Sequence, residues 1–173
     1  MSMTIEEISA HLEIRQAIAR YCRGVDRRDK AMLKSVYHPD GTDDHSVFVG
    51  LGHDFADFII DLLNQEPGAS THQVTSVLIC LHGPDRADVE SYYIAHQAMS
   101  DAQTGEPLLL NTGGRYLDKF ERRNGEWKVA KRICTIDWSR RHVHGEAWDG
   151  AAQFPKIGGC GEDPSYQGFS FIP

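Results

Sequence analysis

The spacing of apolar residues changes once along this chain, and that change constrains the fold more than any other feature. Ile5, Ile8, Leu12, Ile14, Ala17, Ile18 and Tyr21 recur at the three- and four-residue intervals of a helix. Thr4 followed by Glu7 forms a capping box, so a helix is expected over 4–26. A second, short helix is expected over Lys30–Tyr37, opened by Asp29 as its N-cap. His38-Pro39-Asp40-Gly41 reads as the turn that stops it, because the residue before proline avoids the helical region and Asp-Gly favours a turn. A third helix is expected over His53–Asn64, ended by Pro67-Gly68. From there the period shortens. Thr71–Leu81, Ala87–Met99, Leu108–Arg122 and Trp127–Trp138 are long strand patterns. Gly83-Pro84-Asp85, Thr104-Gly105 and Asn124-Gly125 separate them, the last being the strongest hairpin signal.

Helices first and an antiparallel meander afterwards is the α+β pattern. Strands this long twist strongly, so one face can wrap around the helices and enclose a pocket. The 173 residues suit one domain. Residues 1–141 are read as that domain, and 142–173 as an irregular tail packing on it or on a neighbouring subunit.

Composition narrows the function classes. The net charge of −7 opposes binding to phosphate backbones, and the basic residues Lys128, Lys131, Arg132, Arg140 and Arg141 lie along a strand pattern, so no nucleic-acid partner is expected. No apolar run approaches the roughly 20 residues of a membrane helix. Met1–Glu7 carries acids and lacks an apolar segment, so no signal peptide and no membrane partner are expected. Cys22, Cys80, Cys134 and Cys160 are too scattered for a zinc site or a disulfide framework, which fits a reducing, cytoplasmic setting. His142, His144 and Glu146 resemble a metal triplet, but they lack a fourth ligand and a rigid frame, so no metal is expected.

The candidate chemistry centres on Asp26 and His72. Asp26 is expected at the C-terminal end of the first helix, where the helix dipole disfavours a carboxylate. An acid kept there at local cost is a candidate site residue; the alternative is that it caps the next segment. His72 opens the first long strand. A carboxylate beside an imidazole takes the Nδ1 proton, fixes the tautomer and raises the basicity of Nε2. Tyr21, on the same helix as Asp26, is a candidate to polarise a leaving group or an enolate oxygen, with plain core packing as the equal alternative. His96 and Arg132 are candidate substrate-binding residues if their strands turn them inward. For His96 a partly exposed position on the sheet is the better reading. Arg132 shares its parity with Ala130 and Cys134, opposite Trp127, Val129 and Ile133, and suits an anionic leaving group.

The stretch Tyr21-Cys22-Arg23-Gly24-Val25-Asp26, the segment His38-Pro39-Asp40-Gly41, the His72 strand and the hairpin from Gly113 to Arg132 together resemble the SnoaL-like superfamily. The resemblance covers about residues 5–140 and is nearest to the γ-hexachlorocyclohexane dehydrochlorinases, with scytalone dehydratase and bile acid 7α-dehydratase further off. It implies a cone-shaped barrel of curved, mostly antiparallel sheet packed on the N-terminal helices. It further implies a cofactor-free lyase that acts on an apolar cyclic small molecule through an Asp–His dyad, Asp26 and His72, with Arg132 holding an anion. The dehydrochlorinases carry a lysine or similar residue where this chain has Tyr21, while the bile acid dehydratase has a tyrosine at like spacing. That difference favours dehydratase or isomerase chemistry over loss of halide. Isomerisation, epoxide hydrolysis, or a non-catalytic binding or assembly role remain the alternatives on this scaffold. The resemblance also implies a homotrimer or homodimer.

Overall fold

The computed structural model describes residues 2–66, 68–143, 149–153, 158–167 and 169–171. Helix α1 spans Ile5–Asp26, and the capping box at its start is formed: Thr4 Oγ1 accepts from the Glu7 amide at 3.2 Å, and Glu7 Oε2 accepts from the Thr4 amide at 2.7 Å. The buried stripe of α1 is Ala10, Ile14, Ala17, Ile18, Tyr21 and Val25. Ile5, Ile8 and Leu12, which fit the helical spacing, are exposed instead. Helix α2 spans Lys30–Ser35, with the Asp29 carboxylate accepting from the Met32 amide at 2.9 Å. Helix α3 spans Gly52–Gln65.

One strand lies where a turn was expected, and a second follows it. Strand β1, Tyr37–Asp44, runs straight through His38-Pro39-Asp40-Gly41, and β2 covers Val49–Leu51. β1 pairs in parallel with the last strand, with a register irregularity between Tyr37 and Thr42. An irregularity of this kind accommodates Pro39, which has no amide hydrogen to give a ladder. It also needs a close approach: a Cβ on Gly41 would stand 2.5 Å from the Val129 carbonyl oxygen. The turn residues are therefore used inside a strand, by virtue of pairing with a segment some ninety residues away in sequence.

The four long strands form, but the last runs five residues past its expected end at Trp138 and takes in His142 and Val143, expected in the tail, because β5 is long enough to pair with them. They are β3 (Ser70–Leu81), β4 (Arg86–Ser100), β5 (Pro107–Arg123) and β6 (Glu126–Val143). Asn124 and Gly125 both have positive φ, 54° and 83°, the two-residue turn that Asn-Gly favours. The six strands are ordered β2-β1-β6-β5-β4-β3, and β1–β6 is the parallel pair. β2 and β3 remain as edges, so the cone is open rather than a closed barrel. Its concave face packs on α1 and α3 through Ile14, Ile18, Phe55, Ile60, Val89 and Phe120. Burial of each such side chain contributes roughly 1.5–3 kcal/mol.

A register shift in β6 decides which side chains enter the cone. Lys119 pairs with Lys131 but Phe120 pairs with Val129, so Ala130 is an extra residue. Trp127 and Val129 are buried, and after the bulge Arg132 is buried too. A one-residue shift turns every later side chain to the other face. The parity expected for Arg132, opposite Trp127 and Val129, is overturned for that reason.

The described part of the tail packs on α1 and the segment after it in the same chain. Arg23 donates to Ser165 Oγ at 2.9 Å, Tyr166 donates to Asp29 Oδ2 at 2.7 Å, and Arg27 lies 3.5 Å from Asp163. The Arg23 guanidinium also stacks on the Tyr166 and Phe171 rings. No described helix is long and apolar enough to cross a membrane.

Candidate active site

Asp26 is the last residue of α1, and both of its oxygens are used by His72. Nδ1 of the ring lies 2.6 Å from Oδ1, and the His72 amide donates to Oδ2 at 2.9 Å. β3 is an edge strand, and this amide points away from β4, so Asp26 satisfies a donor that the ladder leaves open. The same contact orients the imidazole. A carboxylate only accepts, so Nδ1 carries the proton and the Nε2 lone pair is free. No described residue hydrogen-bonds Nε2. The two side chains are largely shielded, 15% and 11% exposed. His72 separates two cavities: a groove of about 480 Å³ that reaches Asp26, Arg15 and Arg23 of α1 and Arg27 just after it, and a larger cavity of about 700 Å³ inside the cone.

The larger cavity is closed on the helix side by Val25, Phe55, Ile59 and Leu63. Its sheet side carries an aromatic wall. Tyr93 lies 6.5 Å from the His72 ring and stacks on Tyr116 at 4.5 Å, and Tyr116 lies 6.3 Å from a second imidazole, His45. His45 was not singled out from the sequence. It follows β1, stacks on Phe55 at 4.3 Å, and hydrogen-bonds through Nδ1 to Asp43 Oδ1. Tyr37 donates to the other Asp43 oxygen at 2.5 Å. The signal was present: an acid and a histidine two residues apart in an extended segment share a face. It was masked by the expectation of a turn at 38–41.

Tyr21 lines the cavity, as expected, but belongs to this second pair. Its hydroxyl lies 3.2 Å from His45 Nε2. Burial holds the Tyr21, Tyr37 and Tyr116 hydroxyls well above the ordinary phenol range, so all three are neutral donors. At His45, burial opposes the charge, but hydrogen bonds to Asp43 and Cys134 outweigh it and raise its pKa to about 9.

The two residues expected to bind substrate are placed elsewhere. Arg132 is fully buried behind the cavity, between the faces of Tyr21 at 4.0 Å and Tyr116 at 4.3 Å. Its guanidinium makes two bonds to Asp118, at 2.8 and 2.7 Å. Arg132 does not line the cavity, so it is not placed to touch an anion there. His96 points to the opposite face of β4 from Tyr93, Ala95 and Gln97, which line the cavity, and bonds Asn111 Oδ1 at 2.7 Å. Strand alternation gives that outcome. Among the described residues no cluster of three His, Cys, Asp or Glu side chains is arranged for a metal ion. His144 and Glu146 of the tail triplet lie outside the described residues.

These features define a class: an α+β protein whose curved sheet and helices enclose an apolar, small-molecule-sized cavity with imidazole–carboxylate pairs beside it. The SnoaL-like domain model matches residues 6–133, and the chain belongs to the SnoaL-like family. No curated protein matches it. Among solved structures it is similar to a type 2 hexachlorocyclohexane dehydrochlorinase, LinA, at 17% identity, covering 84% of this chain and 98% of that one, with a TM-score of 0.73. A putative scytalone dehydratase from Novosphingobium aromaticivorans is 16% identical over 92% of this chain and 98% of that one, with a TM-score of 0.71. A Mycobacterium tuberculosis protein of unknown function is 23% identical over 76% and 74%, with a TM-score of 0.62. At these identities the likeness establishes the shared fold.

Proposed function

We propose that this protein is a cofactor-free lyase that removes a proton from carbon with His72 while a group leaves the neighbouring carbon of an apolar cyclic molecule. One observation carries the reading: Asp26 Oδ1 lies 2.6 Å from His72 Nδ1, and the ring borders an apolar cavity of about 700 Å³. Asp26 fixes the tautomer and steadies the imidazolium formed when Nε2 takes the proton. The cavity walls suit a ring system of modest polarity. Similar solved structures include a dehydrochlorinase and a putative scytalone dehydratase, both named for eliminations.

The test is a mass-spectrometric screen of hexachlorocyclohexane, scytalone and related cyclic alcohols for loss of HCl or water. His72→Ala is expected to slow the reaction found by about 10²–10⁴-fold, the usual worth of a general base. Full activity in both His72→Ala and Asp26→Asn would reject the dyad. Running the reaction in heavy-oxygen water separates elimination from epoxide hydrolysis, which incorporates the label.

A further inference from the structure

We propose that Asp43, His45 and Tyr21 form a second, acidic arm of the site, which delivers a proton to a departing hydroxyl group and so selects hydroxylated substrates over halides. The inference rests on the reading of His72 as the base and adds the group that works against it. The two imidazoles stand at the two ends of the Tyr93–Tyr116 stack, so a ring system lying along that wall touches both ends of the cavity. Their surroundings differ in a way that assigns opposite roles. Among the described residues none hydrogen-bonds His72 Nε2, which suits a base. His45 has both nitrogens engaged, Nδ1 with Asp43 and Nε2 with the Tyr21 hydroxyl.

Asp43 is 1% exposed and accepts from Tyr37 as well as from His45. A buried carboxylate needs a counter-charge, and Arg132, the nearby guanidinium, is bound by two hydrogen bonds to Asp118. His45 Nδ1 is hydrogen-bonded directly to Asp43 Oδ1, so the imidazolium form of His45 supplies a counter-charge in contact with it. The other groups bearing on His45 are Tyr21 from α1, Tyr116 and Asp118 from β5, and Cys134 from β6. The carboxylates and Cys134 favour the charged ring, and burial opposes it. In this state Nε2–H donates to the Tyr21 oxygen, and the Tyr21 O–H is turned toward the cavity.

The step balances as follows. His72 Nε2 takes the proton from carbon, and the C–H electron pair becomes the new C=C bond. The C–O bond on the adjacent carbon breaks, and the hydroxyl leaves as water with the Tyr21 proton. Tyr21 recovers a proton from His45 Nε2, which ends neutral with Nδ1–H on Asp43. Solvent then resets the two imidazoles. Hydroxide is a poor leaving group and needs this proton, whereas chloride departs without it, so an acid arm fits dehydration of an alcohol.

The test uses the full chain and para-nitrophenol, an aromatic oxygen acid small enough for the cavity. Wild type is expected to bind it as the coloured phenolate. His45→Gln and Asp43→Asn are each expected to weaken that binding at least tenfold. Equal affinity in both variants, or failure of wild type to bind the phenolate, overturns the acid arm. Imidazole NMR of the wild type gives a second reading that needs no variant: one ring is expected to stay protonated up to about pH 9. Deprotonation of every imidazole by about pH 7 overturns the proposal. His72→Ala separates the two arms. It keeps phenolate binding if the acid arm stands, and its turnover tests the base independently.

Discussion

The two Asp–His pairs use the same functional groups at different ranges in the chain. Asp26 and His72 are 46 residues apart and meet only because α1 packs against the edge strand β3. Asp43 and His45 are two residues apart and meet within one extended segment. In the long-range pair no described residue hydrogen-bonds the second imidazole nitrogen, beside the cavity. The local pair is closed at both ends by tyrosines, with Asp43 fully shielded. The difference teaches that an imidazole–carboxylate contact does not define a role by itself. What occupies the second ring nitrogen, and how deeply the carboxylate is buried, set the surroundings in which each imidazole can act.

The largest expected effect falls on turnover. His72→Ala is expected to reduce elimination by about 10²–10⁴-fold, with a smaller effect on stability, where it removes one side-chain hydrogen bond to Asp26. Comparable losses of stability and activity in this variant would erase the contrast between the pairs. Chemical denaturation across pH gives the next effect. His45 has its pKa raised from 6.5 to about 9, so the folded state binds this proton more tightly than the unfolded chain. The stabilisation is complete below pH 6.5 and is lost as pH rises through 9. Its expected size is about 3 kcal/mol, and Asp43→Asn is expected to flatten that part of the curve. Asp26→Asn is expected to cost about 1 kcal/mol of stability through weakened hydrogen bonds to His72. The smallest effect belongs to Tyr37→Phe, which removes one donor to Asp43. A loss of roughly 0.5–1.5 kcal/mol in thermal denaturation is expected, with the fold intact.

Much of the scaffold is written locally. The Thr4–Glu7 box starts α1, Asp29 starts α2, and Asn124-Gly125 sets the β5–β6 hairpin, because each depends on neighbours within a few residues. The Asp26–His72 pair was also legible, from the misfit of an acid at a helix C-terminus and from the resemblance to a family. His45 was not, because His38-Pro39-Asp40-Gly41 carries turn chemistry that a parallel strand partner overrides.

The sequence by itself determined the α+β order, the existence of the four long strands and the family. Only the tertiary structure decided which faces those strands present. The extra residue at Ala130 turned Arg132 into the core, and pairing with β5 left His96 outside the cavity beside Asn111. The physical reason is that periodicity and turn chemistry are properties of adjacent residues, whereas a strand's register is set by a partner far away in the chain. A shift of one position there reverses every side chain that follows.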